Sequence, residues 1–394
     1  MSRRTDADIA VVGSGMVGAA AALALARAGF VVCLLDAGPA PVAPSTEMDL
    51  RVVALAPSSA RLLAEVGAWA RMDHARNCAF EAMHVWDAET GLELDFDARL
   101  INAQCLGWIV ENRHASWSIW QALAESGVRT FTDVTVRGYA AQDTHAALEL
   151  ANGEHLRVRL VVAADGHGSS LRKLAGIHVA GRDYGQRAIV AHLAPERAHE
   201  HTAWQRFLQG GPLALLPLAD GRVSLVWSLP EPEASRVLAL NDAEFAAAVG
   251  VASDFRLGSL SVASGRAAFP LRLQLAQRFA MPRLVLVGDA AHMVHPLAGQ
   301  GVNLGLRDVR ELVEVLSGAG ASGADFAAPA ALARYARRRR SADALDAWSF
   351  DAIERCFGAR ALPLVVARAF GMGLVQHAPP LKRLLARHAA GWPT

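Results

Sequence analysis

Short unbroken apolar runs, each ending at a glycine or an acidic residue, recur along the 394-residue chain. Residues 9–12 form the first run, which is typical of a parallel strand buried on both faces. The alanine- and leucine-rich residues 19–27 predict a helix that Gly29 ends. Residues 30–35 predict a second buried strand, closed by Asp36. Together they make a unit of the ~30 residues that a βαβ motif needs.

Two further apolar runs lie far along the chain. Residues 160–164 end at Asp165-Gly166, and residues 284–287 end at Gly288-Asp289. Strands this distant in sequence can share one parallel sheet. Between the first two runs and these, residues 58–63 predict a short helix capped by Ser58 or Ser59 and ending near Gly67.

A different pattern separates the last two apolar runs. Residues 188–192, 213–218 and 223–229 alternate as strands do, with turn residues at Asp220-Gly221. This pattern predicts an antiparallel sheet in a second lobe, inserted into the first. From Ala330 onward the pattern is helical.

The C-terminal helical region carries two local features. A basic run covers residues 337–340, and Pro379 and Pro380 break the pattern of residues 374–385. A solvated helix face explains the basic run and residues 381–388; contact with a membrane surface or a partner is the alternative.

Composition excludes several classes of function. With a formal net charge of +1, the chain has no global field that would steer it to nucleic acid or to an anionic membrane, so any partner must be inferred from local features. The four cysteines lie far apart without a CxxC spacing, which argues against a disulfide framework or a zinc site and favours a reducing cytoplasm. Arg27 and the glycines interrupt the apolar residues 9–35, so this stretch is read as neither a signal peptide nor a membrane span.

The first candidate site is the turn Gly13-Ser14-Gly15-Met16-Val17-Gly18 directly after the first strand. Glycines there let the backbone approach a pyrophosphate, and helix N-terminal amides face its negative charge. Asp36, 23 positions after Gly13, is placed to accept from a ribose hydroxyl. This turn alone leaves NAD and FAD open. Asp165-Gly166 and Gly288-Asp289 are each explained as ordinary caps when taken singly.

The combination of motifs resembles the ubiquinone-biosynthesis hydroxylases, which are single-component FAD-dependent aromatic monooxygenases. The resemblance extends from residue 9 to residue 308 and rests mainly on residues 288–308, GDAAHMVHPLAGQGVNLGLRD. Further similar segments are LRVVAL at 50–55, VEN at 110–112, YGQ at 184–186, GPLALLPL at 211–218 and VWS at 226–228.

The resemblance implies a set of cofactor contacts. Asp289 is implied to bind the ribityl chain of FAD, Arg51 to reach the cofactor, and Asp36 to bind the adenosine ribose. Asn112 is included, although the sequence leaves open whether Asn112 or Arg113 faces the cofactor. The remaining implied contacts are Gly13, Gly15, Gly18, Asp165, Gly166, Gly288, Pro296, Gly299, Gln300, Gly301, Val302 and Asn303.

The resemblance also implies the fold and the domains. It predicts an α/β protein in which a Rossmann-like FAD-binding domain carries an inserted antiparallel-sheet substrate domain and a helical C-terminus. The FAD-binding domain would comprise residues 1–72, 108–180 and 273–330. The substrate domain would comprise residues 73–107 and 181–272, and residues 331–394 would form the helical region.

The implied reaction is aromatic hydroxylation. NAD(P)H would reduce FAD, dioxygen would form a peroxyflavin, and one oxygen would pass to a polyprenylated phenol. The expected partners are therefore dioxygen and this apolar aromatic, with no nucleic acid. Peripheral contact with the inner membrane or with a quinone-biosynthesis complex is a further expectation. The alternatives are another flavoprotein oxidase or hydroxylase of a small aromatic, and a weakly catalytic subunit of such a complex.

No residue is assigned as catalytic with certainty. Pro296, His295 and Tyr184 are the pocket candidates, and His292 joins His295 as an acid–base alternative. A structural role in the loop is the preferred interpretation of both histidines, since a pair at this spacing lacks a third metal ligand. Apolar residues of the second lobe fit either a prenyl pocket or ordinary sheet core: Trp204, Phe207, Leu213, Leu215 and Trp227.

Overall fold

The computed structural model describes residues 5–293, 301–358 and 362–392. The helices are α1 Met16–Arg27, α2 Pro57–Glu65, α3 Asn112–Ala124, α4 Ser170–Leu174, α5 Glu231–Leu238, α6 Asp242–Ala252, α7 Gly301–Ala321, α8 Pro329–Gly358, α9 Leu362–His377 and α10 Pro379–Ala389.

The strands make three sheets. They are β1 Ala7–Val12, β2 Val32–Leu35, β3 Val52–Leu55, β4 Cys78–Phe80, β5 Ala82–Asp87, β6 Glu93–Asp97, β7 Gly107–Glu111, β8 Arg129–Phe131, β9 Val136–Ala141, β10 Ala146–Leu150, β11 His155–Ala163, β12 Val179–Pro195, β13 Thr202–Leu208, β14 Gly211–Pro217, β15 Val223–Pro230, β16 Leu260–Val262, β17 Ala267–Ala276, β18 Ala280–Met281, β19 Leu284–Leu286 and β20 His292–Met293.

The first sheet has the order β18-β19-β11-β1-β2-β8, with β10 and β9 extending from β11. Strands β19, β11, β1, β2 and β8 pair in parallel. The three predicted buried runs β1, β11 and β19 therefore lie side by side, as the sequence indicates. Because their carboxyl ends meet at one edge, the glycine turn and both acid–glycine turns come together there.

Helix α1 lies between this sheet and helices α3 and α7. Its residues 19–22 are all buried, because small alanine side chains let neighbours approach on every side. Helix α7 comes closest at Gly305, where an added Cβ would lie 2.6 Å from a methyl group of Val17. The packing therefore requires glycine at this crossing.

The second sheet has the order β20-β17-β12-β15-β14-β13-β5-β6, with β16 paired to β12. The pairs β12–β15 and β14–β15 are antiparallel, which confirms the antiparallel sheet predicted for this part of the chain. Strands β12 and β17 run across the predicted domain boundaries at 181 and 273, so one ladder of hydrogen bonds continues through both. The division into domains stays a prediction.

A third, small sheet, β3-β7-β4, lies against one face of the second. Leu216 and Leu218 pack on that face, while Leu213, Leu215 and Trp227 pack on the opposite face with the core of α5 and α6. These last three residues, proposed above as either pocket or core, are thus core. Strand alternation separates the two sets.

Two predictions from the sequence concern the ends of helices. The cap at Ser58 or Ser59 is wrong, because Ala56 precedes α2 and Pro57 occupies its first turn, where a missing N–H costs no hydrogen bond. The predicted break near Pro379 is confirmed, since α9 ends at His377 and α10 begins at Pro379.

The C-terminal helices are attached to the second sheet by a buried ion pair. Arg368 of α9 lies 3.0 Å (Nη2–Oδ2) from Asp87 of β5, and both side chains are 1% exposed. The guanidinium also donates to the carbonyls of Cys356 and Phe357 at the end of α8. Phe357 stacks on Phe207 of β13 at 3.8 Å between ring centroids.

We predict that Arg368→Met lowers the free energy of unfolding by about 3–5 kcal/mol, because it leaves the Asp87 carboxylate buried without its cation. Denaturant unfolding followed by tryptophan fluorescence measures the change. Arg99→Met is the matched control, since its partner Asp97 lies on the surface. Equal effects of the two substitutions would contradict the role given to Arg368.

Candidate active site

The glycine turn after β1 is shaped by close backbone contacts. Gly13 has φ +105°, and a Cβ there would lie 2.3 Å from the carbonyl oxygen of Ala164. A Cβ on Gly18 would lie 2.0 Å from the carbonyl oxygen of Gly13. Gly15, by contrast, faces open space. The first amides of α1 therefore point toward a free volume, as a pyrophosphate site requires.

Asp36 at the end of β2 is held beside this turn. Its carboxylate accepts hydrogen bonds from the backbone N–H groups of Ser14 and Gly38. A carboxylate has about four acceptor positions, so lone pairs remain for a ribose hydroxyl. The predicted ribose contact fits this geometry.

The carboxylate of Asp165 has a structural role. It accepts from the hydroxyls of Ser169 and Ser170 and from the backbone N–H of Leu171, and so caps the short helix α4. Gly166 follows with φ +77° and open space around its Cα. Asp165 therefore shapes the turn, and its predicted cofactor contact stays a prediction.

Asp289 lies in the turn that follows β19. Its side chain is accessible to solvent, yet enough protein surrounds it that desolvation raises the pKa of its carboxyl. His292, His167 and Arg51 act on this pKa in the opposite direction. Arg51 is exposed, with its guanidinium 5.3 Å from the ring centroid of Phe269. A hydroxyl-rich chain placed here would meet both a carboxylate and a guanidinium.

The position of Arg51 is fixed through its backbone. The N–H of Asn112 donates to the Arg51 carbonyl at 2.9 Å, which joins the start of α3 to the residue before β3. The neighbouring Arg113 is largely exposed and faces Asp49 at 3.9 Å. A cofactor contact by the Asn112 side chain stays a prediction.

Helix α7 begins at Gly301, next to half-buried Val302. The buried side chain of Asn303 is already committed: its amide donates to the Ala54 carbonyl, and its oxygen accepts from Ala56 N–H and the Ser59 hydroxyl. Asn303 thus holds the start of α2, and its predicted cofactor contact stays a prediction.

Four of the predicted site residues lie outside the described residues: His295, Pro296, Gly299 and Gln300. Tyr184 is half-buried on β12, with the guanidinium of Arg182 4.5 Å from its ring centroid. It lies where the register of β12 against β17 shifts.

A buried network of charges holds the Gly288–Asp289 turn. Asp308 of α7 accepts from Gly288 N–H at 2.8 Å, from His292 Nε2 at 2.7 Å and from Arg339 Nε at 2.6 Å. Arg339 of α8 also donates to Asp343. All four side chains are buried. His292 is therefore a structural hydrogen-bonding residue, which confirms the preferred interpretation from sequence.

Sequence reasoning missed three members of this network. Residues 337–340 look like a basic surface run, but Arg339 faces inward while its neighbours are exposed. The available signal is helical spacing, since Leu332, Tyr335 and Arg339 share one buried face. Ligand atoms of His292, Asp308 and Asp343 lie within 4.8 Å of one another, as in a metal site, but the Arg339 guanidinium supplies the positive charge there.

The network should make stability depend on pH. Burial alone would lower the pKa of His292, but Asp308 and Asp343 raise it to about 9. Burial and the adjacent Asp308 raise the pKa of Asp343 as well. Both groups bind a proton more tightly when folded, so their stabilisation is complete below the unfolded pKa values and is lost as pH rises toward 9.

We predict that the thermal unfolding midpoint decreases as the pH is raised from 6.5 to 9.5. We also predict that His292→Asn lowers the midpoint at pH 6.5 and makes it less dependent on pH. Differential scanning calorimetry at matched ionic strength measures both. His155→Asn, at an exposed histidine, is the control. An unchanged slope in the His292 variant would show that another group titrates.

Comparison with known proteins identifies the family of this chain. The model of the FAD binding domain family matches residues 6–346. The chain is 36% identical to the 3-demethoxyubiquinol 3-hydroxylase of Escherichia coli over 98% of both chains. It is 37% identical to the ubiquinone hydroxylase UbiL of Rhodospirillum rubrum, over 98% of this chain and 90% of the relative.

More distant proteins share the architecture. The mitochondrial ubiquinone biosynthesis monooxygenase COQ6 of Homo sapiens is 34% identical over 97% of this chain and 92% of its own length. The crystal structure of p-nitrophenol 4-monooxygenase PnpA from Pseudomonas putida superposes with a TM-score of 0.76 at 19% identity, covering 100% of each chain. The chain therefore belongs to the FAD binding domain family, among the FAD-dependent monooxygenases of the ubiquinone-biosynthesis hydroxylase type.

Proposed function

We propose that this protein hydroxylates the aromatic ring of a polyprenylated phenol in ubiquinone biosynthesis, using FAD, NAD(P)H and dioxygen. The observation that carries the proposal is the convergence of the Gly13 turn, Asp36, Arg51 and Asp289 at one edge of the parallel sheet. The names of the relatives support the substrate class.

Each part of the cleft fits one part of FAD. The open N-terminus of α1 suits the pyrophosphate, Asp36 suits the adenosine ribose, and Asp289 suits the ribityl hydroxyls. The N-terminus of α7 at Gly301 favours negative charge on the ring system. When bound, FAD supplies the oxygen chemistry with electrons from NAD(P)H, while the protein binds, orients and excludes water.

The test is turnover of the purified protein in the presence of dioxygen. We expect a flavin absorption spectrum, NAD(P)H oxidation stimulated by a short-chain prenylated phenol, and a product heavier by one oxygen atom. Hydrogen peroxide without a hydroxylated product would instead indicate an oxidase. Protein without flavin would indicate a noncatalytic subunit.

The substitution Asp289→Ala tests the cofactor contact proposed for this residue. We predict that it depletes bound FAD and turnover together, because it removes a cofactor ligand and little core volume. Flavin released on heating, measured per protein, is the readout. Asp143→Ala, at an exposed aspartate on the turn between β9 and β10, is the control. Full flavin occupancy in the Asp289 variant would remove the role assigned to this residue.

We further propose that the C-terminal helices contact a membrane surface. Val366, Phe370 and Leu374 lie at i, i+4 and i+8 on α9, and each is more than half exposed. Leu384 and Leu385 are also exposed on α10, beside the basic residues Lys382, Arg383 and Arg387. An apolar stripe with flanking cations suits the interface of an anionic bilayer. Among the described residues, no helix has both the length and the apolar character to cross a bilayer.

We predict that Phe370→Ser weakens binding to vesicles containing anionic lipid by about tenfold, as expected for one aromatic side chain returned to water. Co-sedimentation with vesicles measures the partition. Val42→Ser is the control, since Val42 is equally exposed but lies in another region. Unchanged binding, or a change only in oligomeric state, would assign the stripe to a protein contact.

A further inference from the structure

A cavity of about 710 Å³ lies between residues 46–50 and the second sheet. Met48 and Leu50 give it an apolar side. Arg76, Asp220 and Arg222 lie on its charged side, and His192 also lines it. The volume is in the range of small-molecule sites, which combine apolar walls with a few placed polar groups.

His192 is the unusual member of this lining. It lies on β12 opposite Ser224, and its backbone N–H donates to the Ser264 hydroxyl at 2.7 Å. Its side chain is fully buried, yet neither ring nitrogen has a hydrogen-bond partner among the described residues. An unpaired buried polar group is costly, so a ligand that pairs with it recovers that free energy.

The ring of His192 is uncharged near neutral pH. Burial lowers the pKa of His192, and the cation of Arg222 lowers it further. A neutral imidazole carries one N–H donor and one acceptor nitrogen. A hydroxyl group on an aromatic ring can satisfy either of them, and donates to the acceptor nitrogen.

Arg76, Asp220 and Arg222 are already paired, and the fourth charged residue of the lining, Glu47, is an anion that would repel an anionic ligand. Arg76 donates to both carboxylate oxygens of Glu111, at 2.7 and 2.8 Å. Arg222 donates to Asp220 and to the Ala263 carbonyl. These pairings remove the demand for an anionic ligand. The cavity is therefore suited to an uncharged molecule with an apolar body and a hydroxyl.

The cavity and the cofactor cleft share one structural element. Residues 46–48 and Leu50 line the cavity, and the next residue, Arg51, acts on the pKa of Asp289. Asp49 anchors this loop, since its carboxylate accepts from Arg113 N–H and its own N–H donates to Glu111. A molecule in the cavity thus lies next to the loop that reaches the flavin site.

We propose that His192 is the specificity-determining residue that binds a ring hydroxyl of the phenolic substrate. This inference rests on the proposed function and deepens it, because it names the group that selects a phenol with a free hydroxyl over its methyl ether. The imidazole accepts from the hydroxyl, while Met48 and Leu50 cover the apolar part of the ring.

The test compares a short-chain prenylated phenol with its methyl ether, which cannot donate to the imidazole. The perturbation of the flavin spectrum on titration gives a Kd for each in the FAD-loaded protein, and turnover gives KM and kcat. We expect the wild type to bind the phenol roughly tenfold more tightly than the ether, the value of one buried hydrogen bond. His192→Leu should abolish this preference, and His192→Gln should restore part of it.

The controls separate this role from a structural one. His155→Leu makes the same chemical change at an exposed site and should keep the preference. His192→Val, β-branched and suited to a strand, accompanies the leucine variant. Equal loss of phenol and ether binding, a retained preference, or failure of both apolar variants to fold would each overturn the proposal. Binding is read without turnover, so a wild type that prefers the phenol but forms no product would contradict the proposed function alone.

Discussion

The buried carboxylate of Asp308 is the interaction on which the cofactor edge depends. It joins three elements at once: the turn after β19 through Gly288, strand β20 through His292, and helix α8 through Arg339. A buried anion is tolerated only where cations and N–H groups surround it. Here that requirement fixes the turn that carries Asp289, because displacement of the turn would leave Asp308 without one of its donors.

Close backbone approach is the second constraint on the same edge. Gly13, Gly18 and Gly305 stand where a side chain would collide with a carbonyl oxygen or with Val17. These contacts bring β11, α1 and α7 near enough for one cleft to collect residues from the beginning and the end of the chain. Asp289 and Arg51, which are proposed to contact the cofactor, are exposed there, while Asp165 and Asn303 hold neighbouring turns and helices in place.

Much of this organisation could be predicted from sequence, because it follows from local rules. Apolar runs ending at glycine or aspartate gave the parallel strands, and alternation gave the antiparallel sheet. Arg339 and His192 could not be assigned in this way. An arginine in a basic run normally faces water. The sequence of an alternating strand does not indicate whether the ring nitrogens of a histidine have hydrogen-bond partners. Both facts depend on packing between segments far apart in sequence, as does the use of Asn303 by α2.

The Asp308 network also bears on how the protein is made. The glycine turn after β1 emerges from the ribosome early, whereas Arg339 and Asp343 emerge only after most of the chain has been synthesised. The Asp289 turn cannot acquire its full set of partners before then. A nascent chain would therefore carry the half of the site proposed to bind the nucleotide long before the half proposed to bind the ribityl chain. Tight retention of the cofactor would then be a late event that coincides with completion of the fold.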